Sequence, residues 1–166
     1  LQPLGLNWRQ ANIIELAKVL ARDYNSIVPS SLETLAKLPG VGEYVASAVC
    51  CFAYGQAVPL IDTNTVRVAC RYLGLSQKPE GRRNPAIRRA VASLMDNARP
   101  REYHWALLDF AATICRAQKP LHSECPVGEH CSYFLSIKDS RDETKPVDRQ
   151  LAFGEIPSDT KRGGEP

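Results

Sequence analysis

The sequence predicts an all-α fold in one compact domain, with a short cysteine-rich loop towards its C-terminal end. Three observations lead there. Successive segments carry apolar residues at helical spacing. A Pro/Gly-containing turn, LPGVG at residues 38–42, sits between two of them, and three of the six cysteines crowd into residues 115–131. At 166 residues and 44% apolar content the chain is long enough to bury a single core.

Taken in order, residues 7–23 form the first helix, with Ile13, Leu16, Ala17 and Leu20 at core spacing and Arg9, Glu15 and Lys18 mostly elsewhere. Residues 31–37 form a short second helix, capped by Ser31, with Leu32 and Leu35 on one side. Pro39, Gly40 and Gly42 then force a reversal, because proline cannot continue the helix and glycine tolerates tight turns and close approach. From Glu43 the pattern is helical again, with Val45, Ala46, Val49 and Phe52 spaced for burial. Such a hairpin can point backbone amides at an anion such as a phosphate. A loop through Gly55 and Pro59 leads to Asp62, placed to cap a helix through Val66, Val68, Ala69, Tyr72 and Leu73. Asn84 and Pro85 suit the start of the next helix, with Ile87, Val91 and Leu94 as core stripe and Arg88 and Arg89 outside. A last long helix is expected from about 102 to 115, with Trp105, Leu108 and Ala112 buried and His104 on the surface or partly packed.

Charge is informative only locally. The net charge is +3, but residues 67–101 hold nine Lys/Arg against two Asp/Glu, whereas 136–166 hold six against seven. The first stretch suits either a phosphate-facing surface or an ordinary solvated helix face. No apolar run approaches the roughly 18 residues of a membrane span, and no signal-peptide pattern opens the chain. Cys50, Cys51 and Cys70 fall in apolar helical patterns and read as core thiols. The crowding of the other three favours a reducing compartment and a bound metal over disulfides. Residues 136–166 lack a sustained apolar period and read as disordered or loosely draped, with LAFG at 151–154 as a local anchor.

Several motifs in order, LPGVG, the helix after it and IDTNTVRVACR, resemble the helix-hairpin-helix superfamily of base-excision DNA glycosylases, a likeness running from about residue 3 to 133. The resemblance divides the chain into a partial helical domain at 1–114, an iron–sulfur loop at 115–133 and a polar tail at 134–166. It implies that Asp62 is the catalytic aspartate and that Pro39, Gly40, Val41 and Gly42 grip the phosphate backbone, with Arg67, Arg116 and Lys119 as further DNA contacts. A DNA contact for His104 is the alternative to its surface or partly packed reading. A monovalent cation at the hairpin carbonyls is part of the same expectation. Tyr44 stands where bifunctional relatives carry a Schiff-base lysine, so the implied enzyme is monofunctional, with Tyr44 stacking on or bonding near the flipped base. The implied partner is double-stranded DNA with a mismatched or damaged base, met by a monomer inside the cell, cytoplasmic or nucleoid-associated if the source is prokaryotic. DTNTVRV looks closer to thymine/uracil mismatch glycosylases than to the adenine branch. Adenine removal and an inactive DNA-binding fragment are the alternatives. The opening LQPLGLNWRQ has no initiator Met and resembles a segment that follows several helices in the superfamily, so a chain lacking its usual beginning is expected.

The superfamily's cluster module spaces four cysteines by six, two and five residues, and here that register reads Cys115, His122, Cys125 and Cys131. The resemblance therefore implies a [4Fe-4S] cluster with an imidazole at the second position. On donor chemistry alone a Cys3His set also suits structural zinc, and loss of one thiol could equally leave no stable metal.

Overall fold

The computed structural model describes residues 7–76 and 81–141, and among these every regular element is helical. Helix α1 (Asn7–Asp23) and the short α2 (Leu32–Ala36) lead through the hairpin to α3 (Glu43–Ala48), which widens into a π turn at Val49–Ala53. Helices α4 (Thr63–Leu73), α5 (Pro85–Ser93), α6 (Pro100–Thr113) and α7 (Ser132–Arg141) follow, with single 3-10 turns at Gly81–Arg83, His122–Glu124 and Gly128–His130.

The ends form where side chains satisfy the orphan backbone groups of helix termini. The Ser31 hydroxyl accepts from the Thr34 amide at a long 3.4 Å, and Asn84 Oδ1 accepts from Ala86 at 2.9 Å with Pro85 behind it. Helix α4 stops at Gly74, whose φ of +70° is the left-handed conformation that closes helices at little cost only for glycine. In the hairpin Gly40 sits at φ +72°, and a Cβ there would lie 2.8 Å from the Cβ of Asn12 on α1, so the turn needs glycine both for conformation and for room.

Two clusters of buried side chains result. Leu35, Leu38, Ala46 and Cys50 form one, with Leu16, Val19 and Leu20 of α1 and Val58 packed on it. Val66, Ala69, Cys70, Ile87 and Val91 form the other, with Ile61 at its edge. The segment 57–62 thus runs from the first core to the second, and Asp62 stands at its end.

Some faces differ from expectation. On α1 the core side is Leu16, Val19 and Leu20, while Ala17 is exposed and Ile13 and Ile14 are more than half exposed. Seating Asn12 on the hairpin sets the helix phase, which a broad apolar stripe does not determine. On α6 the buried residues are Pro100, His104 and Ala111, whereas Trp105 is 53% exposed and Ala112 is exposed. Positions 105–108 and 110–112 are all apolar, so periodicity alone leaves the rotation open. Arg101 contributes to fixing it by donating to the carbonyls of Cys51 (3.4 Å) and Ala53 (2.8 Å) at the π turn. Val45, Leu32 and Leu73 are exposed rather than buried. Ordered helix also continues past 134 to Arg141, because Phe134 stacks on His122 (centroids 4.9 Å apart) and Arg71 lies over the Tyr133 ring at 5.1 Å. The remaining tail, including LAFG, lies outside the described residues.

Candidate functional site

Asp62 is held by a reciprocal capping arrangement. Its Oδ1 accepts from the amides of Asn64 and Thr65, both at 2.8 Å. The Thr65 hydroxyl in turn accepts from the Asp62 amide at 3.0 Å and donates to the Leu60 carbonyl at 2.7 Å. The other oxygen, Oδ2, has a single long contact, 3.4 Å from Asn64 Nδ2. One oxygen therefore holds the helix and the other is available for chemistry, half-buried at the mouth of the loop.

Two aromatic side chains feel that carboxylate. Tyr44, on the first turn of α3, is 40% exposed, and burial followed by the Asp62 charge pushes its phenol up, so it stays a protonated donor. His104 is wholly buried in α6, with Nε2 3.2 Å from the Val58 carbonyl oxygen. Burial pulls its pKa down, opposed by the Val58 bond and by the Asp62 charge. His104 is thus more deeply buried than the surface or partly packed position expected, and is not placed to contact DNA.

The hairpin places Pro39 half-buried and Gly40 and Gly42 exposed, with Val41 packed on the first core. The Val41 amide donates back to Leu38 at 3.1 Å, and Gly42 caps α3 without a side-chain bond. The first-turn amides of α3 are thus the hairpin's outward donors.

Arg67 is a correction. It is only 8% exposed, and its guanidinium donates to the Ala111 carbonyl (2.9 Å), the Cys115 carbonyl (3.0 Å) and Asn64 Oδ1 (3.0 Å). A buried cation needs such acceptors, so Arg67 ties α4 to the end of α6 and is not presented to DNA. Arg71, which sequence reasoning passed over, does related work one turn later, donating to the carbonyls of Arg116 (2.7 Å) and Ala117 (3.1 Å). Arg116 and Lys119 are exposed on the loop so formed, with Arg116 donating to the Lys119 carbonyl at 3.0 Å and Lys119 at φ +49°.

Cys115, His122, Cys125 and Cys131 all line one cavity between α4, α6 and α7, together with Arg71, Phe110 and Phe134. His122 Nε2 is buried there without a hydrogen-bond partner. Among the described residues, no three His, Cys, Asp or Glu side chains are gathered closely enough to hold a metal ion. Cys50, Cys51 and Cys70 are buried, and burial raises each thiol, as core cysteines require.

Two helices joined by a glycine turn, followed one loop later by the helix-capping Asp62, have the order of a helix-hairpin-helix protein, and residues 23–52 match the family model described as helix-hairpin-helix motif. The thymine-DNA glycosylase of Aeropyrum pernix is 40% identical over 140 residues, covering 81% of this chain and 62% of that protein. An adenine DNA glycosylase of Mycobacterium tuberculosis is 40% identical over 131 residues, 75% of this chain and 41% of its own. The solved structure of a thermostable thymine-DNA glycosylase superposes with a TM-score of 0.73 at 35% identity, over 78% of this chain and 60% of the other. The chain belongs to the helix-hairpin-helix superfamily of base-excision DNA glycosylases, related to its thymine/uracil and adenine branches. It spans about 60% of the length of the thymine-DNA glycosylase relatives.

Proposed function

We propose that the protein is a monofunctional DNA glycosylase that hydrolyses the N-glycosidic bond of a mismatched base in double-stranded DNA, thymine or uracil opposite guanine. The observation that carries this reading is the divided carboxylate of Asp62, beside a tyrosine where a lysine nucleophile would stand. Cleavage of the bond builds positive charge on the sugar, and Oδ2 offers a fixed negative end to that charge and to an attacking water. Tyr44, as a protonated phenol, can donate to or stack on the extruded base but cannot form an imine with the opened sugar. The hairpin amides would hold the phosphate backbone, with Arg116 and Lys119 on a second, sequence-blind contact. A monovalent cation at the hairpin belongs to this proposal through family resemblance.

The proposal extends to the cysteine module. Three thiols and an unpartnered buried imidazole on one cavity fit a [4Fe-4S] cluster by donor chemistry, and Cys115, His122, Cys125 and Cys131 would hold it. When bound, the cluster supplies a cross-link between these segments and one-electron redox chemistry. The same Cys3His donor set suits structural zinc, and iron and zinc analysis of the purified chain separates the two.

A panel of duplexes containing G·T, G·U, A·8-oxoguanine and A·G tests the function, on this chain and on any version extended by upstream coding sequence. Release of thymine or uracil from the guanine mismatches is expected. Release of adenine alone would select the second reading, which the 40% identity to an adenine DNA glycosylase supports. No release from any duplex by either form would overturn both.

A further inference from the structure

We propose that His104 is a positioning residue for the Asp62 carboxylate, acting through the backbone of residues 58–62. This rests on the functional reading above and adds a residue to its site. The segment 58–62 carries Asp62 between two cores and is held at several points. Its far end is clamped by Thr65, which bonds the Leu60 carbonyl and the Asp62 amide. Its middle is held by Leu60, a fully buried side chain. Its near end is held by His104 Nε2 at the Val58 carbonyl. A carbonyl can only accept, so this contact requires the proton on Nε2 and leaves Nδ1 a bare acceptor.

That Nδ1 is buried without a partner, in a residue with no exposed surface. An unsatisfied buried acceptor is costly, and an apolar side chain of the same shape would pack here more favourably. Stability alone therefore does not account for an imidazole at this point. The ring is gripped from other directions, edge-on to Phe52 (6.5 Å between centroids) and to Tyr103 (5.1 Å). Its helix is fastened through Arg101 to the π turn that follows α3, and through the Ala111 carbonyl to Arg67 of α4. Helix α6 thus braces the helix that carries Tyr44 and the helix that Asp62 caps, and His104 is its one described side-chain bond to the loop between them. The Asp62 charge acts on His104, which places the imidazole within electrostatic reach of the carboxylate it steadies.

The first test needs no variant. In the full chain labelled with ¹⁵N-histidine, the His104 resonance should show the neutral Nε2–H tautomer at pH 7, and an Nδ1–H tautomer would overturn the proposal. The second compares His104→Leu, which removes the donor, with His104→Gln, whose amide nitrogen can reach the same carbonyl. Hydrogen-exchange protection of the Asn64 and Thr65 amides should fall about tenfold in His104→Leu and return in His104→Gln. Single-turnover base release should fall about 10²-fold in His104→Leu at unchanged DNA affinity, the size expected for a misplaced catalytic group, and recover in His104→Gln. Unchanged amide protection, or a glutamine variant as impaired as the leucine one, would overturn it. A wild-type chain that releases no base defeats the functional reading instead, while the tautomer and amide exchange still decide this one.

Discussion

In Asp62 the two carboxylate oxygens have unequal surroundings, two short amide bonds on Oδ1 and one long contact on Oδ2, and substitutions separate them. Asparagine caps a helix about as well as aspartate, so Asp62→Asn should change the urea unfolding free energy by less than about 1 kcal/mol. It removes the negative charge, and base release should drop at least about 10²–10³-fold while duplex affinity, read by anisotropy, stays the same. A second residue sets a pH dependence. Burial holds the folded His104 pKa below its ordinary value of 6.5. Between the folded and unfolded values the unfolded chain binds the extra proton, so stability is complete above about pH 6.5 and declines as pH falls towards the depressed folded value. Urea midpoints taken across that range should slope down towards acid in the native chain and be flatter in His104→Gln.

At the scale of elements, the two arginine types make opposite predictions. Arg67 joins α4 to α6 through buried carbonyls. Arg67→Met strands those acceptors and should cost about 2–4 kcal/mol of stability, seen in denaturant midpoints. Arg116→Ala should leave stability alone, weaken duplex binding for every sequence alike and reduce the salt dependence by about one unit of slope. The difference was not readable from the sequence, where both are arginines near basic or cysteine-rich text. Helix starts were readable because they depend on local chemistry: Ser31, Asp62 and the Asn84–Pro85 pair cap as expected, and the glycine reversal at 38–42 forms where its composition demands. Helix rotation was not. Where apolar residues surround the axis, as in α6, the phase is set by contacts made far along the chain, such as Arg101 with the π turn, and so Trp105 and His104 exchange the roles assigned to them. Thr65 was the missed local signal, since a hydroxyl three residues after a capping aspartate can close the reciprocal pair.

For the molecule as a whole, the cysteine module lies against α4 and α6, with Arg71 joining it to the helix that Asp62 caps. Purified without oxygen, the chain should contain iron and sulfide, absorb in the visible iron–sulfur band and lack zinc. Stripping the metal should loosen the loop bearing Arg116 and Lys119 and weaken DNA binding more than it lowers the rate of base release at saturation. His122→Ala should reduce iron content, and His122→Cys should retain it. A preparation rich in zinc, or metal-free yet unchanged in DNA binding, would contradict that assignment.

Segment 57–62 joins the two cores, with Val58 packed on one and Ile61 on the other, and ends on the Asp62 carboxylate. Local opening of such a joint can cost less than unfolding the cores it connects. The temperature at which the protein stops working and the temperature at which its helices are lost are therefore separate quantities. The first is governed by a few hydrogen bonds at Val58, Leu60 and Asp62 and the second by the packing of two hydrophobic clusters, so a variant could gain on the second scale while losing on the first.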